Sequence, residues 1–181
     1  RASLAKFSLL GTGSIDTTWD ANLTFSAGSV YSYSLLTGGG YLYIGGSYGK
    51  VGSTVRYGLS RINETDASLD TNWTTGINSS GSVKSIISDG SYIYATGSFS
   101  YANSIARSGI AKIAMDSSGS LDNTWKPALS TFSQTVGTGS SLYLSGANLF
   151  LGGTFDTANT IVHPNLAPLS LTGTGTIPGD Q

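Results

Sequence analysis

Three stretches of this chain can be laid over one another without a gap: SLLTGGGYLYIGG at residues 34–46, SIISDGSYIYATG at 85–97 and SLYLSGANLFLGG at 141–153. A long internal period constrains a fold more tightly than composition does, because each copy takes one local structure and stacks on its neighbours. The register continues through Ser47-Tyr48, Ser98-Phe99 and Thr154-Phe155 to a basic position at Arg56, Arg107 and His163, with Arg1 opening the same register. A short apolar segment follows, in which Leu4, Leu59, Ile110 and Leu166 are equivalent, as are Lys6, Arg61, Lys112 and Pro168. Each copy then reaches an acid three residues before a tryptophan: Asp16 and Trp19, Asp70 and Trp73, Asp122 and Trp125; the last copy has Pro178 at the acid position.

Residues 1–181 thus read as a single repeat region, with repeats at 1–55, 56–106 and 107–162 and a partial fourth at 163–181. The repeats are 55, 51 and 56 residues long, and most of the variation falls in the segments 20–33, 74–84 and 126–140. Insertions and binding specificity concentrate in such loops, so any ligand preference is expected there.

The 51 serines and threonines and 25 glycines, set against few helix-favouring runs, predict an all-β chain. Charged residues make up 10% of the chain, against about 25% in an average soluble protein. The net charge is −1 with no basic cluster, which excludes the electrostatic footprint of a nucleic-acid binder. Apolar runs are far shorter than the roughly 20 residues of a membrane-spanning helix, so no membrane span is expected. With no cysteine, disulfides and thiolate chemistry are excluded. The low charge and abundant Ser, Thr, Asn, Gly and Tyr point to a secreted or cell-surface bacterial protein. The opening residue, Arg1, reads as a processed or excised end.

In YLYIGG, Tyr41 and Tyr43 face one way while Leu42 and Ile44 face the other, which describes a strand buried on both sides. A β-propeller blade between two neighbours supplies that environment. The expected architecture is therefore about three four-stranded blades plus the start of a fourth, part of a larger ring, since three blades fall short of the usual minimum of four. A β-trefoil is the alternative, and a parallel β-helix is disfavoured because its coils are shorter than this period.

The segments IGGSYGKVGSTVRYGLSRINETDASLDTNW and TGSFSYANSIARSGIAKIAMDSSGSLDNTW resemble the delta-60 repeat of bacterial propeller-like proteins. The resemblance covers nearly the whole chain; it departs at His163, Pro168 and Pro178. It implies a repeat scaffold on secreted or surface proteins and no common reaction.

Periodic charge in a charge-poor chain reads as architecture, so each Asp is expected to cap its turn or pair with a basic residue. Trp19, Trp73 and Trp125 are the candidate ligand-binding residues, as a set of equivalent aromatics able to stack on sugars, with packing as the competing role. Asp116, Ser118, Ser120 and Asp122 have the alternate oxygen spacing of calcium loops, but the other repeats lack it. His163 is the only histidine and sits in the register of an arginine; Glu64 is the only glutamate. Neither supports a catalytic constellation, and no cofactor, metal or enzymatic activity is expected. The sequons at Asn22, Asn63, Asn72 and Asn78 are no more than this composition gives by chance. The leading expectation is a non-enzymatic scaffold or protein-interaction module. Its partners would be the remaining blades or another copy of the chain, with a glycan or protein as ligand. A lectin-like propeller and a subunit of an extracellular assembly or filament are the alternatives.

Overall fold

The computed structural model describes residues 4–24 and 29–179. Arg1, residues 25–28 of the first variable loop and the last two residues of the fourth repeat start lie outside the described residues. Among the described residues the chain is all-β, built from strands, bridges and turns in small antiparallel sheets.

Each structural unit is closed by the opening strand of the repeat that follows: around the first repeat lie β1 (Leu23–Thr24), β2 (Tyr31–Gly38), β3 (Tyr41–Ser47), β4 (Lys50–Val51) and β5 (Thr54–Val55), with β6 (Leu59–Asn63) from the second. Strands β2, β3 and β6 form one antiparallel sheet and β1, β4 and β5 a second, smaller one. The next repeat follows the same plan with β7 (Ser82–Ser88), β8 (Tyr92–Ser98), β9 (Tyr101–Ala102), β10 (Ile105–Ala106) and β11 (Ile110–Ala114). Here β7, β8 and β11 form the main sheet, and a bridge from Ile77 to Ala102 stands in for the third small strand. In the third, β12 (Leu129–Ser130), β15 (Thr157–Ala158) and β16 (Ile161–Val162) flank a main sheet of β13 (Thr138–Ser145), β14 (Asn148–Thr154) and β17 (Leu166–Ser170).

Each repeat was expected to yield one four-stranded sheet; it yields a three-stranded sheet with a small side sheet. The reason is local. After the central strand the chain turns back in a two-residue hairpin loop: Asn103 and Ser104, then Asn159 and Thr160, all have positive φ, as does Gly52 at the equivalent place. Such loops demand residues that tolerate the left-handed region. On the outer edge of β6 and β11 the turn that follows supplies only a one-pair bridge, Ile62 to Leu69 and Ile113 to Leu121, in place of a fourth strand. No closed sheet is found among the described residues.

Register explains how the main sheets stack. Leu36, Tyr43 and Arg61 lie opposite one another on one face of the first sheet, and Leu35, Ile44 and Ser60 on its reverse. The equivalent sets are Ile87, Tyr94 and Lys112 against Ile86, Ala95 and Ala111 in the second sheet. In the third they are Tyr143, Phe150 and Pro168 against Leu142, Leu151 and Ala167. The forward face of each sheet packs on the reverse face of the next. One core joins Tyr43 and Leu59 to Ile86, Ile93 and Ala111; a second joins Tyr94 and Ile110 to Leu149, Leu151 and Ala167. A third cluster buries Ile44 and Ile62 of the first sheet's reverse face against Trp19, Ala21 and Leu23. Each fully buried aliphatic side chain contributes roughly 1.5–3 kcal/mol, so these clusters hold the stack together.

The central strand of the second repeat is covered on both sides, as expected; in the first, Tyr43 and Ile44 are buried on opposite faces while Tyr41 and Leu42 are half-buried. The third departs from this: Phe150 is 36% exposed and Tyr143 66%, because no further sheet among the described residues stacks on that face.

Pairing of the first two strands is interrupted at one place in every main sheet, between Ser32 and Ser34, Val83 and Ser85, and Gly139 and Ser141. Opposite each bulge stands the second residue of the Gly-Gly or Thr-Gly pair. A Cβ on Gly46, Gly97 or Gly153 would overlap the carbonyl oxygen of Tyr31, Ser82 or Thr138 respectively. That pair therefore does not end the strand; it admits close backbone approach within it.

Candidate functional site

The most conspicuous residues of the sequence converge at the seams between repeats. Two hydrogen bonds fix the closing strand of each of the first two main sheets to the turn after it: Ala114 N to Ser120 O and Asp122 N to Lys112 O, with Asn63 N to Ser68 O and Asp70 N to Arg61 O as counterparts; the third sheet has Ser170 N to Thr176 O alone, because Pro178 has no N–H to donate. The turns before Trp19, Trp73 and Trp125 end on the repeated Asp. Asp16 accepts from the amides of Thr18 and Trp19, Asp70 from Asn72 and Trp73, and Asp122 from Thr124 and Trp125. The second carboxylate oxygen faces the basic residue of the same repeat: Lys6 to Asp16 at 3.8 Å, Arg61 to Asp70 at 2.5 Å and Lys112 to Asp122 at 3.4 Å. The expectation that these acids cap turns and pair with cations matches this geometry.

Sequence spacing did not reveal where the cations and tryptophans reach. The Lys6 ammonium donates to Glu64 O, Arg61 to Met115 O and Asp116 O, and Lys112 to Leu171 O. These acceptors lie in the repeat that follows. The indole N–H of Trp19 donates to Glu64 O, that of Trp73 to Ala114 O and that of Trp125 to Ser170 O, again one repeat ahead. Tyr43 and Tyr94 meet Trp73 and Trp125 edge-on at 5.5 and 5.2 Å between ring centres. Each basic residue and its tryptophan therefore rivet one repeat to the end of the next sheet.

For the ligand-binding expectation at Trp19, Trp73 and Trp125, burial is decisive. Trp73 and Trp125 are completely buried and Trp19 is 3% exposed, so no ring presents a face on which a sugar could stack. The repeated loops have a further device that sequence reading missed. The side-chain oxygens of Asn103 and Asn159 accept from the amides of Gly76 and Ala128, clasping the hairpin tips to the segments at 74–84 and 126–140. The recurring Asn-Ser and Asn-Thr pairs were the available signal. The calcium-like spacing has an internal explanation too: Asp116 accepts from Ser118 N, Ser118 Oγ and Gly119 N within its own turn.

Two expectations follow from this seam. Substituting Trp73 by phenylalanine leaves the buried Ala114 carbonyl without its donor and is expected to cost about 1–3 kcal/mol. Trp19→Phe should cost less, because Glu64 O also receives Lys6; chemical denaturation of both variants measures the difference.

The carboxyls of Asp70 and Asp122 sit below the usual range. Burial opposes their charge, but donors overcome it: Arg61 and two amides at Asp70, two amides and Lys112 at Asp122. A carboxylate whose folded value is depressed stabilises the fold fully above its unfolded value and loses that contribution as pH falls through the folded one. Melting temperature is thus expected to fall once pH drops below about 4. Asp70→Asn should flatten that acid limb in pH-dependent thermal melts; an unchanged limb would show that Asp70 contributes nothing there.

Comparison with known proteins matches the chain to no family model, no curated protein and no solved structure.

Proposed function

We propose that this chain is a run of propeller-type repeats of the delta-60 kind, acting as a non-enzymatic scaffold or protein-interaction platform in a secreted or cell-surface bacterial protein. One observation carries this reading: the Trp and the Arg or Lys of each repeat, among the residues best suited to chemistry or recognition, join it to the next repeat, and the Asp of the same repeat holds that cation. A main chain that invests its few charges in its own seams is built to be extended and to hold shape. Fold-level likeness gives no reaction, so the reading rests on the fate of these side chains.

Electron microscopy of the chain extended by further copies of its own repeat tests the propeller component. A closed ring with a central hole is expected, and an open superhelix would overturn it. A glycan array with the intact protein tests the scaffold component against the lectin-like alternative, and no saturable binding is expected. The exposed aromatics best placed for sugars are Tyr31 and Tyr33, stacked 5.7 Å apart and each 50% exposed. Saturable binding abolished by Tyr31→Ala or Tyr33→Ala would replace the scaffold reading.

A further inference from the structure

The reverse face of the first sheet is only partly covered. Beside it lies a cavity of about 460 Å³ lined by Leu4, Lys6, Trp19, Leu35, Thr37 and Leu42 among others. Leu35 is 50% exposed, whereas its counterpart Ile86, covered by the preceding sheet, is 7% exposed. Leu42 is half-buried where Ile93 and Leu149 are fully buried. The floor of this cavity thus has the chemistry of an inter-sheet interface without its second layer.

The segment at residues 4–8 makes the same point through its backbone. It is equivalent to β6, β11 and β17, and it has their outer pairing: Ser8 N donates to Ser14 O and Asp16 N to Lys6 O. In the other three copies the opposite edge pairs with a central strand, β3, β8 or β14. At residues 4–8 that edge pairs with no strand among the described residues. Lys6 and Trp19 have nonetheless reached their acceptor at Glu64 O, so the rivet is closed while the hairpin it belongs to is not in place.

We infer that this cavity and strand edge form a docking site for one specific occupant, a two-stranded β-hairpin of the repeat's own kind. Its inner strand would pair along residues 4–8 as β8 pairs along β11, and its forward face would cover Leu35 and Leu42 as Tyr43 and Leu36 cover Ile86 and Ile93. Continuity with the two existing interfaces specifies this occupant. A second copy of the chain fits poorly, because each of its hairpins already has β6, β11 or β17 where residues 4–8 must lie. The inference rests on the repeat reading above, but not on its ring closure or its cellular role.

The chain has no cysteine, so one introduced thiol reports a single position. Leu35→Cys and, as an independent reporter, Thr37→Cys are labelled with a maleimide in the full chain. They are labelled again in a chain carrying a second copy of residues 74–106 fused ahead of Arg1. Labelling at both sites should slow at least about tenfold in the fused chain, and thermal stability should rise. A Tyr143→Cys reporter at the far end of the stack should keep its rate. Unchanged labelling at both Leu35→Cys and Thr37→Cys in the fused chain would sink the inference, even if the extended chain forms rings. Protection of those thiols in the unfused chain that grows with protein concentration would overturn it in favour of a second copy. If labelling of the unfused chain is instead fast at every concentration, the hairpin assignment stands.

Discussion

Substituting Gly97 by alanine is expected to lower stability by about 3 kcal/mol or more, a loss comparable to emptying part of the core. Gly97 lies opposite Val83 at the bulge of the second sheet, and its missing Cβ leaves room for the Ser82 carbonyl. The obstacle is backbone on a strand held on both sides by neighbouring sheets, so no rotamer change can relieve it. For a chain of this length the loss corresponds to a fall of roughly 6–12 °C in melting temperature. Gly76→Ala is the control: the nearest atoms to its Cβ are backbone atoms of Tyr57 at 3.9 Å or more, and the expected change is within about 0.5 kcal/mol. If Gly97→Ala melted like Gly76→Ala, the role given to the second glycine of the pair would be wrong. The same experiment at Gly46 and Gly153 asks whether all three bulges are built alike.

Those glycines also show what could be read from the chain before its structure. Their recurrence marked a backbone requirement, and the two-sided apolarity of Tyr92 to Ala95 correctly announced a strand covered on both faces, whereas in Tyr41 to Ile44 the cover is complete only at Tyr43 and Ile44. That the repeated Asp would cap its turn or meet a basic residue followed from periodicity alone, since opposite charges recurring nine or ten residues apart in a charge-poor chain seldom stand free; Arg61 with Asp70 is one such pair. What periodicity cannot give is direction across a seam. That Arg61 reaches Met115 O and Trp73 reaches Ala114 O depends on how two sheets stack, which no spacing within one repeat encodes. The same limit applies to the tryptophans as ligand platforms. A tryptophan three residues after a capping Asp could point outward or inward, and only the neighbouring sheet's carbonyl decides. The four-stranded expectation failed for a different reason. The segments that lie where a fourth strand would, Ser68 to Asp70 and Ser120 to Asp122, make one bridge pair each, to Ile62 and Ile113, before the Asp turns the chain away.

The second large effect is expected at the central rivet. Arg61 and Asp70 have side chains 4% and 11% exposed, and the guanidinium also lies 4.3 Å from the centre of the Tyr41 ring. Removing one member of a buried, hydrogen-bonded pair leaves the other desolvated and uncompensated, which costs on the order of 3–5 kcal/mol. Asp70→Asn keeps the shape and removes the charge, so Arg61 would retain Met115 O and Asp116 O but lose its anion. Arg61→Met should be comparably damaging, because it strips the donor from two carbonyls of the next repeat as well as from Asp70. The double variant should fall well short of the sum, with a coupling between about 0.5 and 3 kcal/mol, since neither charge is then left alone. Arg61→Lys should lie between: Lys112 holds the equivalent place one repeat on, reaching Asp122 and Leu171 O, so an ammonium can close this seam with fewer bonds. Urea denaturation of the four variants reads out the cycle. Strict additivity of Arg61→Met and Asp70→Asn would mean that the two side chains act independently. The seam would then be held by its apolar packing, with Trp73 against Tyr43 at its centre.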